Sequence, residues 1–261
     1  MQGRRGDSLG PLAVPTMDAR GELIDPHLSV ACAAALEEHA NAKRGVRVCT
    51  ANSLCRYWAD EDMGAAENTE PVVLRGFLSA QQCDAILQAA TAKGVFEPAD
   101  DEIACDALRD VAHHVPLSSE HIVLYMHREG WFPSTLPAIW SHVLGGMRSQ
   151  QSWVEPDAPL NVRCIELHHY STGGCLLTPS HRDNGSSLTM SVLLSETAAS
   201  TGGTFVTYDE GMPIAHEMAR GDAILFNSEK LHNVTTVTSG TRQSLVVELW
   251  PAPTNASNRF A

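Results

Sequence analysis

The stretch from 161 to 250 constrains this chain more than any other. Short runs of β-branched, aromatic and aliphatic residues alternate there with turn residues, at 171–174, Asn184-Gly185, 200–203, Glu210-Gly211, Gly221 and Ser239-Gly240. A helix would be interrupted every few residues by that punctuation, whereas short strands require it. The spacing predicts strands over 162–170, 176–181, 187–195, 203–208, 214–218, 222–226, 233–238 and 242–250. About eight short antiparallel strands fit a jelly roll, which leaves few exposed sheet edges. In the run 187–195, Leu188, Met190, Val192 and Leu194 alternate with Thr189, Ser191 and Leu193. Strand side chains point alternately to opposite faces, so the first set is expected against helices and the second inside the barrel.

Those helices should precede the strands. Ser79 followed by Gln82 has the form of a capping box, with Leu78 as its staple. Cys83, Ile86, Leu87 and Ala90 then share one helical face, and Gly94 is a stop. A second helix is predicted over 134–147, carrying Leu136, Ile139, Trp140, Val143, Leu144 and Met147. Short strands are expected over 71–77 and 121–126, and a short helix over 103–111. Residues 1–70 read as an N-terminal extension: a mobile arm, then one helix from Asp25-Pro26 to about Gly45. The expected class is mainly β with flanking helices (α+β), with the domain over 71–261 and its jelly-roll core over 161–250.

Charge and cysteines narrow the function. The net charge is −13, and acidic residues outnumber basic ones in each third of the chain. No basic stripe is available to follow a phosphate backbone, so nucleic acid is not an expected partner. The seven cysteines are odd in number and contain no CxxC pair. That argues against a disulfide framework or a zinc ribbon and for a reducing compartment. No apolar leader and no run of about 18 apolar residues is present. The expectation is therefore an intracellular, cytoplasmic protein away from membranes, with no oligomeric state legible.

The chemistry-bearing residues lie in the β-rich half. His181-Arg182-Asp183 is a His-x-Asp, and His232 follows it 49 positions later. On an extended segment, His181 and Asp183 would project to one side, with a third ligand arriving from another strand of the barrel. Two imidazoles and one carboxylate form the facial triad that holds non-haem Fe(II) and leaves coordination positions open. A lone His-x-Asp is weak, since roughly one is expected by chance in a chain this rich in His. His127-Arg128-Glu129 is a similar tripeptide with no partners following it. Arg242-x-Ser244, ten residues after His232, adds the deciding feature: a guanidinium and a hydroxyl on one strand face form a receptor for a carboxylate. His168 shares the parity of Tyr170 and is a candidate for the same interior, while His113, His114 and His169 read as structural or exposed.

Together, His181-x-Asp183, His232 and Arg242-x-Ser244 resemble the Fe(II)/2-oxoglutarate dioxygenase superfamily, and within it the prolyl 4-hydroxylase-like branch. Tyr170-Ser-Thr-Gly173, Gly202-Gly203-Thr204, 221–226 and 232–242 add to the likeness, which covers roughly 71–250. The resemblance implies a double-stranded β-helix, with His181, Asp183 and His232 binding Fe(II). It implies that Arg242 and Ser244 hold the distal carboxylate of 2-oxoglutarate, with Tyr170 and Thr189 also on the co-substrate. His181, Asp183, His232 and Arg242 would then be the catalytic set. O2 would be consumed, succinate and CO2 released, an unactivated C–H bond hydroxylated, and ascorbate would support turnover. Asp183 stands where related halogenases carry a small residue, so hydroxylation is expected. The chain departs from the family in having Arg242 where many prolyl hydroxylases have Lys, and Leu193 where some relatives have a tyrosine.

The substrate expected from this resemblance is a peptidyl proline, another peptide side chain or a small molecule. Two other functions compete. A metal-binding or sensing jelly roll without turnover would have no use for Arg242-x-Ser244. A nucleic-acid oxidative demethylase of the same superfamily would carry a second Arg six positions after the anchor, and Glu248 stands there.

Overall fold

The structure, a computed structural model, describes residues 69–94, 96–98, 120–149, 154, 158–176, 181–183, 185–209 and 212–257. The expected helices at 25–45 and 103–111, and His113 and His114, lie outside these residues.

Among the described residues, three α-helices precede the barrel. Helix α1 (Ala80–Lys93) begins as the sequence predicts: the Gln82 N–H donates to Ser79 Oγ, and the Ser79 N–H donates to Gln82 Oε1. Gly94 ends it in the left-handed conformation. The helix expected over 134–147 is two helices, α2 (Trp131–Thr135) and α3 (Pro137–Arg148). Pro137 has no N–H to continue a helix and pushes Leu136 out of helical geometry, to φ −128° and ψ 56°.

The strands are β1 (Val72–Leu74), β2 (Glu97–Pro98), β3 (His121–Tyr125), β4 (Asn161–Tyr170), β5 (Leu188–Leu193), β6 (Ser200–Gly202), β7 (Phe205–Asp209), β8 (Met212–His216), β9 (Ala223–Asn227), β10 (His232–Val234), β11 (Val237–Gly240) and β12 (Arg242–Trp250). They form a seven-stranded antiparallel sheet ordered β1-β9-β5-β12-β4-β3-β2, a three-stranded sheet ordered β10-β7-β8, and the pair β11-β6. The expected class, mainly β with flanking helices around a jelly roll, is the one observed. The run 233–238 is not one strand but breaks between β10 and β11. Of the strand expected over 176–181, residues 177–180 lie outside the described residues; Leu176 forms a bridge with Val234, and His181 to Asp183 are not in a strand.

The large sheet has a dry face and a working face. Leu188, Met190, Val192 and Leu194 pack with Ile86 and Ala90 of α1 and Ile139, Val143 and Met147 of α3 in one apolar cluster. Burying each such side chain contributes about 1.5–3 kcal/mol. The other face meets the small sheet around Tyr170, Phe205, Ile224, Phe226 and Val234. The cavity described next opens between the two sheets. No helix among the described residues is long and apolar enough to cross a membrane.

Candidate active site

Two backbone hydrogen bonds, rather than a strand, present the His-x-Asp segment. The Asp183 N–H donates to Ser228 O at 2.9 Å, and the His232 N–H donates to His181 O at 3.2 Å. These bring the segment beside the start of β10. Donor atoms of His181, Asp183 and His232 all lie within 4.8 Å of one another. His181 Nε2 is 3.4 Å from Asp183 Oδ1, and His232 Nε2 is 3.6 Å from Asp183 Oδ2. The two imidazole rings meet edge to face, with centroids 4.7 Å apart.

The surroundings prepare these groups as ligands. His232 Nδ1 lies 3.0 Å from the Lys230 carbonyl, so it carries the proton and Nε2 offers its lone pair. Burial pushes the His232 imidazole down to about 4, against the pull of the Asp183 carboxylate, so it is neutral at pH 7. Thr189 Oγ1 donates to Asp183 Oδ2 at 2.8 Å and lies 2.8 Å from Ser228 Oγ. Thr189 therefore orients a candidate ligand. The donor set of two imidazoles and one carboxylate suits a borderline divalent cation such as Fe(II).

The carboxylate receptor lies at the start of β12. Arg242 is 3% exposed, and its guanidinium donates to Ser244 Oγ at 2.8 Å. Burial lowers the basicity of the guanidinium, and no carboxylate among the described residues is within ion-pair distance of it. A desolvated cation without an acid partner is costly unless a ligand supplies the charge. The fit to a dicarboxylate is helped by Gly203, at φ +66°, where an added Cβ would lie 2.8 Å from Arg242 Cδ. Tyr170, paired across from Arg242, is buried with its ring centre 5.5 Å from the guanidinium carbon.

A cavity joins these parts, its lining including His181, Asp183, His232, Thr189, Tyr170 and Ser244. Leu193 is not part of that lining, whereas His168 is, as its parity with Tyr170 suggested. The sequence reading missed His121, Glu166 and Glu248, which also line it. The alternation of β4 and β12 placed Glu166 and Glu248 on the inward face, so the signal existed. His121 had none, because nothing in the sequence pairs β3 with β4. His127, of the second His-x-acid tripeptide, is structural: its Nδ1 accepts the Ile165 N–H at 3.2 Å. His169 points away from the interior and sits 3.3 Å from Gln243 Nε2.

No protein-family model and no curated protein matches the sequence. Solved structures do match in fold. An oxidoreductase of the 2OG-Fe(II) oxygenase family from Burkholderia pseudomallei aligns at TM-score 0.51 and 18% identity, over 81% of this chain and 95% of its own. A prolyl hydroxylase from Trichoplax adhaerens, in complex with a hypoxia inducible factor peptide fragment, aligns at TM-score 0.54 and 13% identity, over 82% of this chain and 92% of its own. A non-heme alpha ketoglutarate dependent epimerase from nogalamycin biosynthesis aligns at TM-score 0.52 and 12% identity, over 77% and 83%. The chain thus has the fold of the 2-oxoglutarate- and iron-dependent oxygenases.

Proposed function

We propose that this protein is an Fe(II)- and 2-oxoglutarate-dependent oxygenase that hydroxylates an unactivated C–H bond, releasing succinate and CO2. The observation that carries the reading is one cavity lined by a His-Asp-His donor group and by Ser244, whose hydroxyl accepts a hydrogen bond from Arg242, a buried arginine lacking an acid partner among the described residues. A metal-binding domain without turnover has no need of that arginine. A nucleic-acid demethylase is disfavoured because Glu248, in place of a second arginine, is engaged by Arg163 and Ser186.

His181, Asp183 and His232 would hold the iron. When bound, Fe(II) together with 2-oxoglutarate and O2 supplies the oxidising chemistry. The chain's own residues position and exclude. Thr189 fixes one oxygen of Asp183, and the Lys230 carbonyl fixes the His232 tautomer. Arg242 and Ser244 would take the distal carboxylate of 2-oxoglutarate, orienting its other end toward the donor group. Tyr170 walls this region, and Phe205 and Phe226, packed on His232, keep water from that side. Asp183 fills the position that a halide would need, which favours hydroxylation. The reductive support of ascorbate, and a peptide or small-molecule substrate, belong to the same proposal.

The test is succinate formation from 2-oxoglutarate in air with Fe(II) and ascorbate. The expected result is succinate that depends on added Fe(II) and disappears in His232→Ala. Succinate formed equally by His232→Ala, or failure of the wild type to bind 2-oxoglutarate, would refute the assignment.

A further inference from the structure

Three neighbouring strands carry one row of side chains at the level of the carboxylate receptor. Tyr170 of β4 is paired with His121 of β3 on one side and with Arg242 of β12 on the other. The tyrosine ring therefore stands between an imidazole and a guanidinium. The His121 ring stacks on it, with centroids 4.0 Å apart and planes 17° from parallel. The guanidinium carbon of Arg242 lies 5.5 Å from the centre of the tyrosine ring. All three residues are buried, so the row packs against itself and little water reaches it.

His121 is itself held in place. Its Nε2 lies 2.8 Å from His168 Nδ1, and His168 Nε2 lies 3.0 Å from Glu166 Oε2. An ionised carboxylate only accepts, so the Glu166 end sets the direction of this chain. His168 Nε2–H donates to Glu166, and with both rings neutral His121 Nε2–H donates to His168 Nδ1. Both His168 nitrogens are then used inside the chain. His168 lines the cavity but keeps no N–H with which to bind a ligand there. What the chain fixes is the plane of the His121 ring, and that plane faces Tyr170.

The restraint matters at Arg242. Its guanidinium donates to Ser244 Oγ, and Tyr170 is its neighbour on the β4 side. The His121 ring closes the face of Tyr170 that lies away from the arginine. Without that ring the tyrosine gains room to tilt toward β3, and the guanidinium loses a fixed wall. A ligand would then have to restore the receptor geometry as it binds, a cost that a preorganised site avoids.

Resting on the function proposed above, we infer that His121 is a positioning residue for 2-oxoglutarate. Its ring backs Tyr170 and so holds the Arg242 receptor in shape, while Glu166 and His168 keep the ring in its plane.

The test titrates 2-oxoglutarate into the full-length protein, loaded anaerobically with Fe(II), by calorimetry. KM and kcat for substrate-free succinate formation are then measured in air. Two variants separate the ring from its hydrogen bond. His121→Phe keeps a ring and removes the donor to His168, and His121→Gln keeps a donor and removes the ring. Loss of an aromatic pair corresponds to about three- to tenfold in affinity. His121→Gln is expected to raise the Kd and KM for 2-oxoglutarate by that factor, with kcat and Fe(II) affinity within about twofold of wild type. His121→Phe is expected to stay within about twofold of wild type in every one of these, because the stack survives. A merely structural role would lower the melting temperature and leave the KM of the folded protein unchanged, and that result overturns the inference. An equal rise in KM for both variants also overturns it, since the effect would then belong to the hydrogen bond. Should His121→Gln not fold, His121→Leu, also without a ring, takes its place with the same expected rise. If the wild type binds no 2-oxoglutarate, the parent reading has failed and the inference falls with it. If the wild type binds it and the ringless variants bind it as tightly, the inference alone has failed.

Discussion

Thr189 illustrates how one hydroxyl can tune a site it does not belong to as a ligand. It is fully buried and gives its proton to Asp183 Oδ2. Thr189→Val keeps the shape and removes the donor. Loss of such a supporting hydrogen bond typically reduces metal affinity by about 10- to 100-fold. That drop is expected in an anaerobic Fe(II) titration, with the KM for 2-oxoglutarate little changed. Arg242 should behave in the opposite way. Removing one member of a desolvated charge pair costs about 2–5 kcal/mol, or on the order of 30- to 3,000-fold in affinity. Arg242→Gln should therefore raise the KM for 2-oxoglutarate within that range and leave iron binding intact. A variant that binds 2-oxoglutarate normally but loses iron would place the anchor elsewhere. Ser244→Ala should cost less, about 0.5–3 kcal/mol. At this scale the sequence was informative wherever residues sat two apart on a strand. Arg242 and Ser244 fell on one buried face as expected, and so did Tyr170 and His168. Thr189 was read on the correct face, and its hydrogen bond to Asp183 was not legible, because Asp183 comes from a segment whose path the sequence does not encode.

Elements divide by whether their signals are local. The capping box of α1 was legible because four adjacent residues contain it. Ser79→Ala should lower stability by about 1 kcal/mol in chemical denaturation, the usual loss for an N-cap hydroxyl. Pro137 was equally local, but the apolar stripe that begins at Leu136 and continues through α3 carries no mark of the break. The segment before Asp183 shows the opposite case. Alternation predicted a strand reaching His181, yet the backbone there is held by Ser228 and His232 instead of by a ladder. Such contacts, between residues tens of positions apart, leave no periodicity to read. The turn between β6 and β7 couples an element to the site. Gly203 has φ +66°, and an added Cβ would lie 2.8 Å from Arg242 Cδ and 3.0 Å from Val237 Cγ2. Gly203→Ala should therefore displace the arginine and raise the KM for 2-oxoglutarate, while strain of about 1–3 kcal/mol appears as lost stability. An unchanged KM with lowered stability would mean that the side chain, not the turn, absorbs the added methyl.

For the whole molecule, the fold narrows the chemistry without naming the reaction. A hydroxylase and an epimerase both match it, so the choice between reactions rests on side chains. The response of the molecule to acid also has an identifiable source. On β8, burial and the charges of Lys230 and Arg75 push His216 from 6.5 down to about 4. Below pH 6.5 the unfolded chain takes up a proton that the folded chain refuses. Stability is therefore full above pH 6.5 and falls toward pH 4, by up to about 3 kcal/mol for this residue. Burial pushes Glu229 upward, which works in the opposite direction, so the informative quantity is the difference between wild type and His216→Gln across that range. The variant should flatten the pH profile, and a profile identical to wild type would show that His216 is not the source. The proposed function depends on His181, Asp183 and His232 acting together as one metal site. Anaerobic addition of Fe(II) and 2-oxoglutarate, followed by visible absorption, measures that. The expected result is a charge-transfer band that needs both additions, saturates at about one Fe(II) per chain, and is absent in Asp183→Ala. A band undiminished in Asp183→Ala, or none in the wild type, would contradict it.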